Sequence, residues 1–474
     1  MSVAPSENGK HIVLFSGDDA PGDFEARVSA RGGTTEQILV GAGLAIVSGL
    51  TEAGAADLAS TRDVRAVTGD RVVGVGSPSD LGHADESESL ATPVDALLDA
   101  ESDPLTPCRA STARPAKARY YRRQWNLCAI KAYAAWDAGF EGSSKVSVFI
   151  LDTGIDYRRP DLLGRVDTSR SASLVPASSD EWKRTADANV HEVMDFHSHG
   201  TAIAALIASN ADSLAGVTRN STLVGVKVVD RNRRGAVSDF MRGIIYAADS
   251  GADVIHFSFA FEGFAKRDSA GGDGKPAIVA AFSQAINYAH EKGAVMVVAA
   301  GNLTRDFDHD RDWWSPCTAT HVICVSATGP TSANGVDGPW LAGFDAVASY
   351  TNFGRSAISV AGPGSTLTPG NVPLSTGRSV WLTCSQMTVN TTGNPRFCRT
   401  TGARLWESTG TSFGAAVTSG LAALLVSRIG HECPAEIRAA IEESADDLGQ
   451  PGRDPYYGKG RINVERAIST TRRC

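Results

Sequence analysis

A chain of 474 residues, 42% hydrophobic and 21% charged, carries enough apolar material for a large soluble core and is too long for one ordinary domain. A net charge of -8 excludes a phosphate-binding surface as its organising feature, so no nucleic-acid partner is expected. Glycine is abundant (48 residues) but follows no collagen-like period, and no apolar run has the length of a membrane span.

Residues 1–10 read as a tail. The start, MSVAPSENGKHIVLF, lacks a basic segment followed by an apolar core, so it does not read as a secretory signal. Residues 11–76 read as a small α+β domain. HIVLF is a strand, AGLAIVSGL is strand-like in part, TEAGAADLAS has helical spacing behind a Thr cap, and VRAVTGDRVVGV closes the unit with strands. Residues 77–119 are rich in Ser, Asp, Ala and Pro without an apolar period and read as a linker. Its end, ARPAKARYYRR, is basic and expected to be accessible, and Arg119 to Arg123 is a candidate processing site.

From residue 120 to 474 strands alternate with helices. KVSVFIL is a continuous apolar strand of the kind buried on both faces. HGTAIAALIAS is a small-residue helix. LVGVKVV, DVIHFSF, AVMVVAAGN, HVICVSA and AISVAG are further strands. VSDFMRGIIYAAD, IVAAFSQAINYAHEKG, SFGAAVTSGLAALLVSRIG and PAEIRAAIEESAD are helices. The alternation predicts an α/β fold with a parallel sheet flanked by helices, and such folds place their sites beyond the carboxyl ends of the strands.

Four residues stand out chemically. Asp152 ends a buried strand in VFILDTGID, where a carboxylate needs a donor and is suited to orient a histidine. His199 opens the small-residue helix, and an imidazole there is a general base near neutral pH. His197 competes with it; His199 is preferred because Gly200 and Thr201 permit close helix packing. Ser412 lies where a turn enters a long helix, whose first N–H groups favour an oxyanion. Asn302 follows the strand VMVVAA and offers an amide to the same oxyanion. Each alone is also an ordinary cap or turn residue.

Together, VFILDTGID, HGTAIAA, VVAAGN and GTSFGAAVTSG occur in the order Asp, His, Asn, Ser, and from about 120 to 470 the chain resembles the subtilase family of subtilisin-like serine peptidases. The resemblance implies a serine endopeptidase with Asp152, His199 and Ser412 as triad. Asn302 and the Ser412 N–H would form the oxyanion hole, and Ser258, Phe259 and Ala260 the strand that pairs with peptide substrates. Two positions depart from the family pattern. Ala416 replaces a proline four residues after the serine, and Ser258-Phe259-Ala260 replaces a glycine-bearing strand. The N-terminal domain more loosely resembles the family's inhibitory propeptide, which implies a self-inhibited precursor with its own propeptide as partner in cis. No cofactor is required by the chemistry. Structural calcium is a family expectation without assigned ligands, and the acidic loop DFDHDRD at 306–312 reads as solvated. A monomer acting on protein or peptide substrates, secreted or at the cell envelope, is expected. Eight cysteines (Cys108, Cys128, Cys317, Cys324, Cys384, Cys398, Cys433, Cys474) permit disulfides without fixing their pairing, and Cys384 and Cys398 lie in an insertion, 366–405, that either shapes the cleft or braces the surface.

Overall fold

The computed structural model describes residues 3, 6–74, 111–176, 190–261, 264–265, 277–313, 315–330, 343–367, 379–387, 405–470 and 472–474. The N-terminal unit runs β1 (Lys10–Phe15), α1 (Phe24–Ser29), β2 (Thr34–Leu39), β3 (Leu44–Ser48), α2 (Glu52–Ala59) and β4 (Val64–Gly69). Its strands form one antiparallel sheet in the order β2-β3-β1-β4, with Ile12 opposite Ile46 and Val13 opposite Val67. Side chains alternate across a strand, so the apolar run 12–15 of β1 must be covered on both faces. Val13 and Phe15 pack with Phe24, Val28 and Leu58 beneath the unit's own helices. Ile12 and Leu14 belong to a core shared with the rest of the chain. Thr51 caps α2 by accepting from the Gly54 N–H at 3.1 Å.

Next come β5 (Val72–Gly74), α3 (Trp125–Ala129), α4 (Ala132–Asp137), β6 (Ser147–Asp152), β7 (Ala172–Ser173), α5 (His199–Ala208), β8 (Thr222–Lys227), β9 (Arg234–Ala236), α6 (Val237–Asp249), β10 (Val254–Phe257), β11 (Phe264–Ala265), α7 (Ala277–Glu291) and β12 (Val295–Ala299). The chain continues through β13 (Asp312–Trp313), β14 (Val322–Gly329), β15 (Ala346–Val347), β16 (Val360–Pro363), β17 (Val380–Thr383), β18 (Leu405–Ser408), α8 (Thr411–Ile429), α9 (Pro434–Ser444) and α10 (Val464–Ala467). The central sheet has the order β15-β14-β12-β10-β6-β8-β7, with β16 also on β14. Every pairing in it is parallel except β14 with β15.

Helices α5, α8 and α9 pack on one face and α6 and α7 on the other, the α/β layering that the alternating pattern predicts. Helix α8 is apolar all round because it lies inside: 17 of its 19 residues are buried. By length and composition it could cross a membrane, yet it is a core helix. After β6 the chain adds β8 on one side and returns to add β10 on the other. The switch point therefore falls at the carboxyl ends of β6 and β10.

The N-terminal sheet lies against α6 and α7 through Ile12, Leu14, Leu44 and Ile46. Strand β5, read as a closing strand of its own unit, instead pairs antiparallel with β9, Val72 opposite Ala236. The buried Asp70 carboxylate accepts from the Ser238 N–H (3.0 Å) and hydroxyl (2.7 Å), so one unit caps a helix of the other.

In the basic run 113–123 the side chains of Arg114, Lys117, Arg119 and Arg122 are exposed, while the stretch itself is tied to the body. Tyr120 and Tyr121 are buried, the Arg119 and Tyr120 N–H groups donate to the carbonyls of Asp212 and Ser213, and the Arg123 guanidinium lies over the Trp381 ring. The tyrosines between the arginines pull this stretch onto the body. Cys317 is bonded to Cys324 and Cys433 to Cys474, while Cys128 and Cys384 are also in disulfides. Cys108 and Cys398 lie outside the described residues.

Candidate active site

Asp152 is the last residue of β6 and is 0% exposed. Both carboxylate oxygens face His199 Nδ1, at 2.8 and 2.9 Å, and Oδ1 also accepts from the Thr153 N–H at 2.7 Å. An imidazole between a buried carboxylate and the cleft has its Nδ1 proton fixed by that carboxylate, which leaves Nε2 as the basic nitrogen. His199 is the first residue of α5. The helix can bring it so close because residue 200 is glycine: a Cβ there would stand 2.1 Å from the Gly154 carbonyl and 3.1 Å from Asp152 Cβ. His197, the competing residue, is buried and accepts from the His199 N–H through its Nδ1 at 3.3 Å.

The turn before His199 is held by residues that motif reading passed over. Asp195 Oδ1 accepts from Thr153 Oγ1 and from the N–H groups of His197 and Ser198. Its Oδ2 accepts from the Thr201 N–H and hydroxyl. Ser198 adopts φ +94°, a conformation that needs such support. Support also comes from the insertion. The Ser385 N–H donates to Ser198 Oγ (2.9 Å), the Ser385 hydroxyl to the Asp195 carbonyl (2.7 Å), and the Gln386 N–H to Asp156 Oδ2 (2.8 Å). Burial pushes the Asp156 carboxyl above its usual range, opposed by the N–H groups of Gln386 and Arg158.

Ser412 is the second residue of α8 and 6% exposed. Its N–H belongs to the first turn, whose donors have no intrahelical acceptor. Its hydroxyl donates to the Ser258 carbonyl at 3.2 Å and not to His199. The ring of neighbouring Phe413 lies 6.2 Å from the His199 ring, which brings the start of α8 against the start of α5. The start of α8 crosses β16 where both have glycine: a Cβ on Gly362 would meet the Gly414 carbonyl at 2.6 Å.

Asn302, 8% exposed, lies three residues past the end of β12. Its Oδ1 accepts from the Thr411 N–H (2.9 Å) and hydroxyl (2.8 Å). A backbone N–H can only donate, so the atom facing Thr411 must be the amide oxygen. The amide NH2 is thereby turned away from Thr411 and left to donate elsewhere. Thr411 in turn accepts from the Gly301 N–H at 3.0 Å. Motif reading passes over Thr411, although it sits inside the serine motif directly before Ser412.

Of the expected substrate strand, Ser258 is buried and offers its carbonyl. Phe259 is buried as well, packed edge-on against Phe240 and Phe257, and its ring lies 6.1 Å from that of His199 at 29°. Ala260 stands against Gly301, where any Cβ would come within 2.5 Å of the Ala260 methyl.

Among the described residues no three or more His, Cys, Asp or Glu side chains are placed to hold a metal ion. In the acidic loop, Asp306 engages His309, and Asp308 accepts from the Arg355 N–H and from the Ser356 N–H and hydroxyl.

The arrangement has a carboxylate-held base, a hydroxyl at a helix start and an oriented amide, the set required for acyl transfer through a tetrahedral intermediate. Comparison with known proteins shows the family. Residues 143–460, about two thirds of the chain, match the subtilase family. A thermophilic serine proteinase from Bacillus sp. (strain AK1) is 31% identical over 338 residues, which cover 71% of this chain and 64% of that relative, so the chain spans just under two thirds of its length. Thermitase from Thermoactinomyces vulgaris is 28% identical over 347 residues, 73% of this chain and 96% of thermitase. The crystal structure of the epidermin leader peptide processing serine protease from Staphylococcus aureus superposes with a TM-score of 0.69 at 18% identity, over 97% of both chains, a likeness of fold.

Proposed function

We propose, on the premise that this chain belongs to the subtilase family, that it is a serine endopeptidase with Asp152, His199 and Ser412 as its triad. The observation that carries this reading is the buried Asp152 carboxylate bonded to His199 Nδ1, with the Ser412 hydroxyl at the start of a facing helix. A peptide lies along Ser258 to Ala260. The Ser412 hydroxyl turns from the Ser258 carbonyl to His199 Nε2, gives up its proton and attacks the substrate carbonyl. The oxyanion is met by the Ser412 N–H and Asn302 Nδ2. His199 protonates the leaving amine, and water repeats the cycle on the acyl-enzyme. Asn302→Ala lowers kcat about a hundred- to a thousandfold with KM nearly unchanged, because its amide serves a charge that exists only in the transition state. Steady-state kinetics on a peptide measure both constants; an equal rise in KM at constant kcat would remove Asn302 from the oxyanion hole.

The N-terminal domain, residues 11–76, is read as a propeptide that covers the enzyme until the linker at 77–119 is cut. Its shared core with α6 and α7, and the Asp70 cap on α6, support that role. The disulfides support an oxidising location, secreted or at the cell envelope.

The test is labelling by an organofluorophosphonate before and after removal of the N-terminal segment. The processed chain is expected to be labelled at Ser412 and the precursor weakly or not at all. A processed chain that stays unlabelled overturns the peptidase reading; equal labelling of both forms overturns self-inhibition alone.

A further inference from the structure

His256 is a buried histidine that the triad chemistry does not use. It lies in the middle of the central sheet, in β10, with Ile150 of β6 and Val297 of β12 as neighbours, and is 0% exposed. Strand alternation sends Ile255 and Phe257 to the α6–α7 face and turns His256 to the α8 face, whose core is mostly apolar. An apolar side chain would suit that place at less desolvation cost. Burial pushes the imidazole down to about 3, against the raising influence of Asp152, so it is neutral at ordinary pH.

Both ring nitrogens are occupied. Nδ1 meets Ser419 Oγ at 2.9 Å, and Nε2 meets Ser258 Oγ in a short contact. Ser419 is seven residues, two helical turns, beyond Ser412, so the two hydroxyls share one face of α8. The Ser412 hydroxyl bonds the carbonyl of the same Ser258. Helix and strand are thus joined at two levels, by Ser419 through His256 to the Ser258 side chain, and by Ser412 to the Ser258 backbone.

We propose that His256 is a positioning residue that fixes the height of α8 against the end of β10, and so the distance the Ser412 hydroxyl travels from the Ser258 carbonyl to His199. This inference rests on the peptidase reading above. An unbridged α8 shifts along the strand, and a displacement near 1 Å at a nucleophile costs rate rather than binding.

The test compares the processed wild-type enzyme with S419A, S419T, H256L and the S419A/H256L double variant, with kcat expressed per active site titrated by a sulfonyl fluoride. S419A and H256L are each expected to lose about ten- to a hundredfold in kcat with KM held within about threefold. S419T restores the rate, and the double variant is no slower than H256L, because both changes break one bridge. If H256L does not fold, the S419A and S419T pair decides, since it leaves the imidazole in place. Unchanged kcat in S419A, an effect confined to KM, or losses that multiply in the double variant overturn the inference while the peptidase reading stands. A wild-type enzyme without Ser412-dependent turnover overturns both.

Discussion

Ser412→Ala is expected to fold and to lose about a millionfold in kcat. The Ser412 side chain makes one hydrogen bond, to the Ser258 carbonyl, and sits in the first turn of a buried helix that alanine suits. Its loss therefore leaves packing intact: near-ultraviolet circular dichroism and the melting temperature stay close to wild type. What goes is the hydroxyl proposed to attack the substrate carbonyl. His199→Ala combined with Ser412→Ala is no slower than either alone, since base and nucleophile act as one unit. Hydrolysis of an unstructured protein is the measurement. Turnover within tenfold of wild type would exclude Ser412 as the nucleophile.

Asp152→Asn is expected to cost about ten-thousandfold in kcat with little change in KM. The reason can be traced atom by atom. The Thr153 N–H requires an acceptor at the Oδ1 position, so the new amide must place its oxygen there and its NH2 at Oδ2, 2.9 Å from His199 Nδ1. An NH2 at that place can donate to Nδ1 and competes with the amide oxygen at Oδ1, 2.8 Å from the same nitrogen, so the side chain no longer fixes the proton on Nδ1 and the tautomer protonated at Nε2 becomes populated. In that tautomer the nitrogen proposed to accept from Ser412 already carries a hydrogen. Geometry survives while the tautomer is wrong, so the substrate is still bound. Kinetics on a short peptide, with binding of an uncleavable analogue as control, read both effects. A loss below tenfold would mean that Asp152 does not set the tautomer.

Much of the site is legible in the sequence because each reacting residue sits in a local pattern. Asp152 ends an apolar strand, His199 opens a helix beside Gly200, Ser412 precedes a long apolar helix, and Asn302 follows a strand. Strands and helices of the central sheet are equally legible, since burial on both faces gives them unbroken apolar runs. What escapes is non-local or polar. Strand β2, TTEQIL, is an edge strand with little apolar alternation, and α1 has six residues, too few for a helical period. Strand β5 finds its partner more than 160 residues away, in β9. His256 reads as a stray polar residue in DVIHFSF until Ser419, 163 positions later, is brought against it. Asp195 lies four residues before His199, close enough to read, but its five bonds reach as far back as Thr153.

A reader trimming this protein to its essentials would mark 366–405 as dispensable, an extra loop between strand and serine. The bonds from Ser385 and Gln386 argue against the scissors. Two of them, to Ser198 and to the Asp195 carbonyl, buttress a left-handed bend one residue ahead of the proposed general base, from a point 187 positions downstream. Excision would also take Val380 and Leu382 out of the core packed on α5 and α8. Residues 379–387 are thus joist and brace together, filling the interior while steadying the bend from which the imidazole hangs.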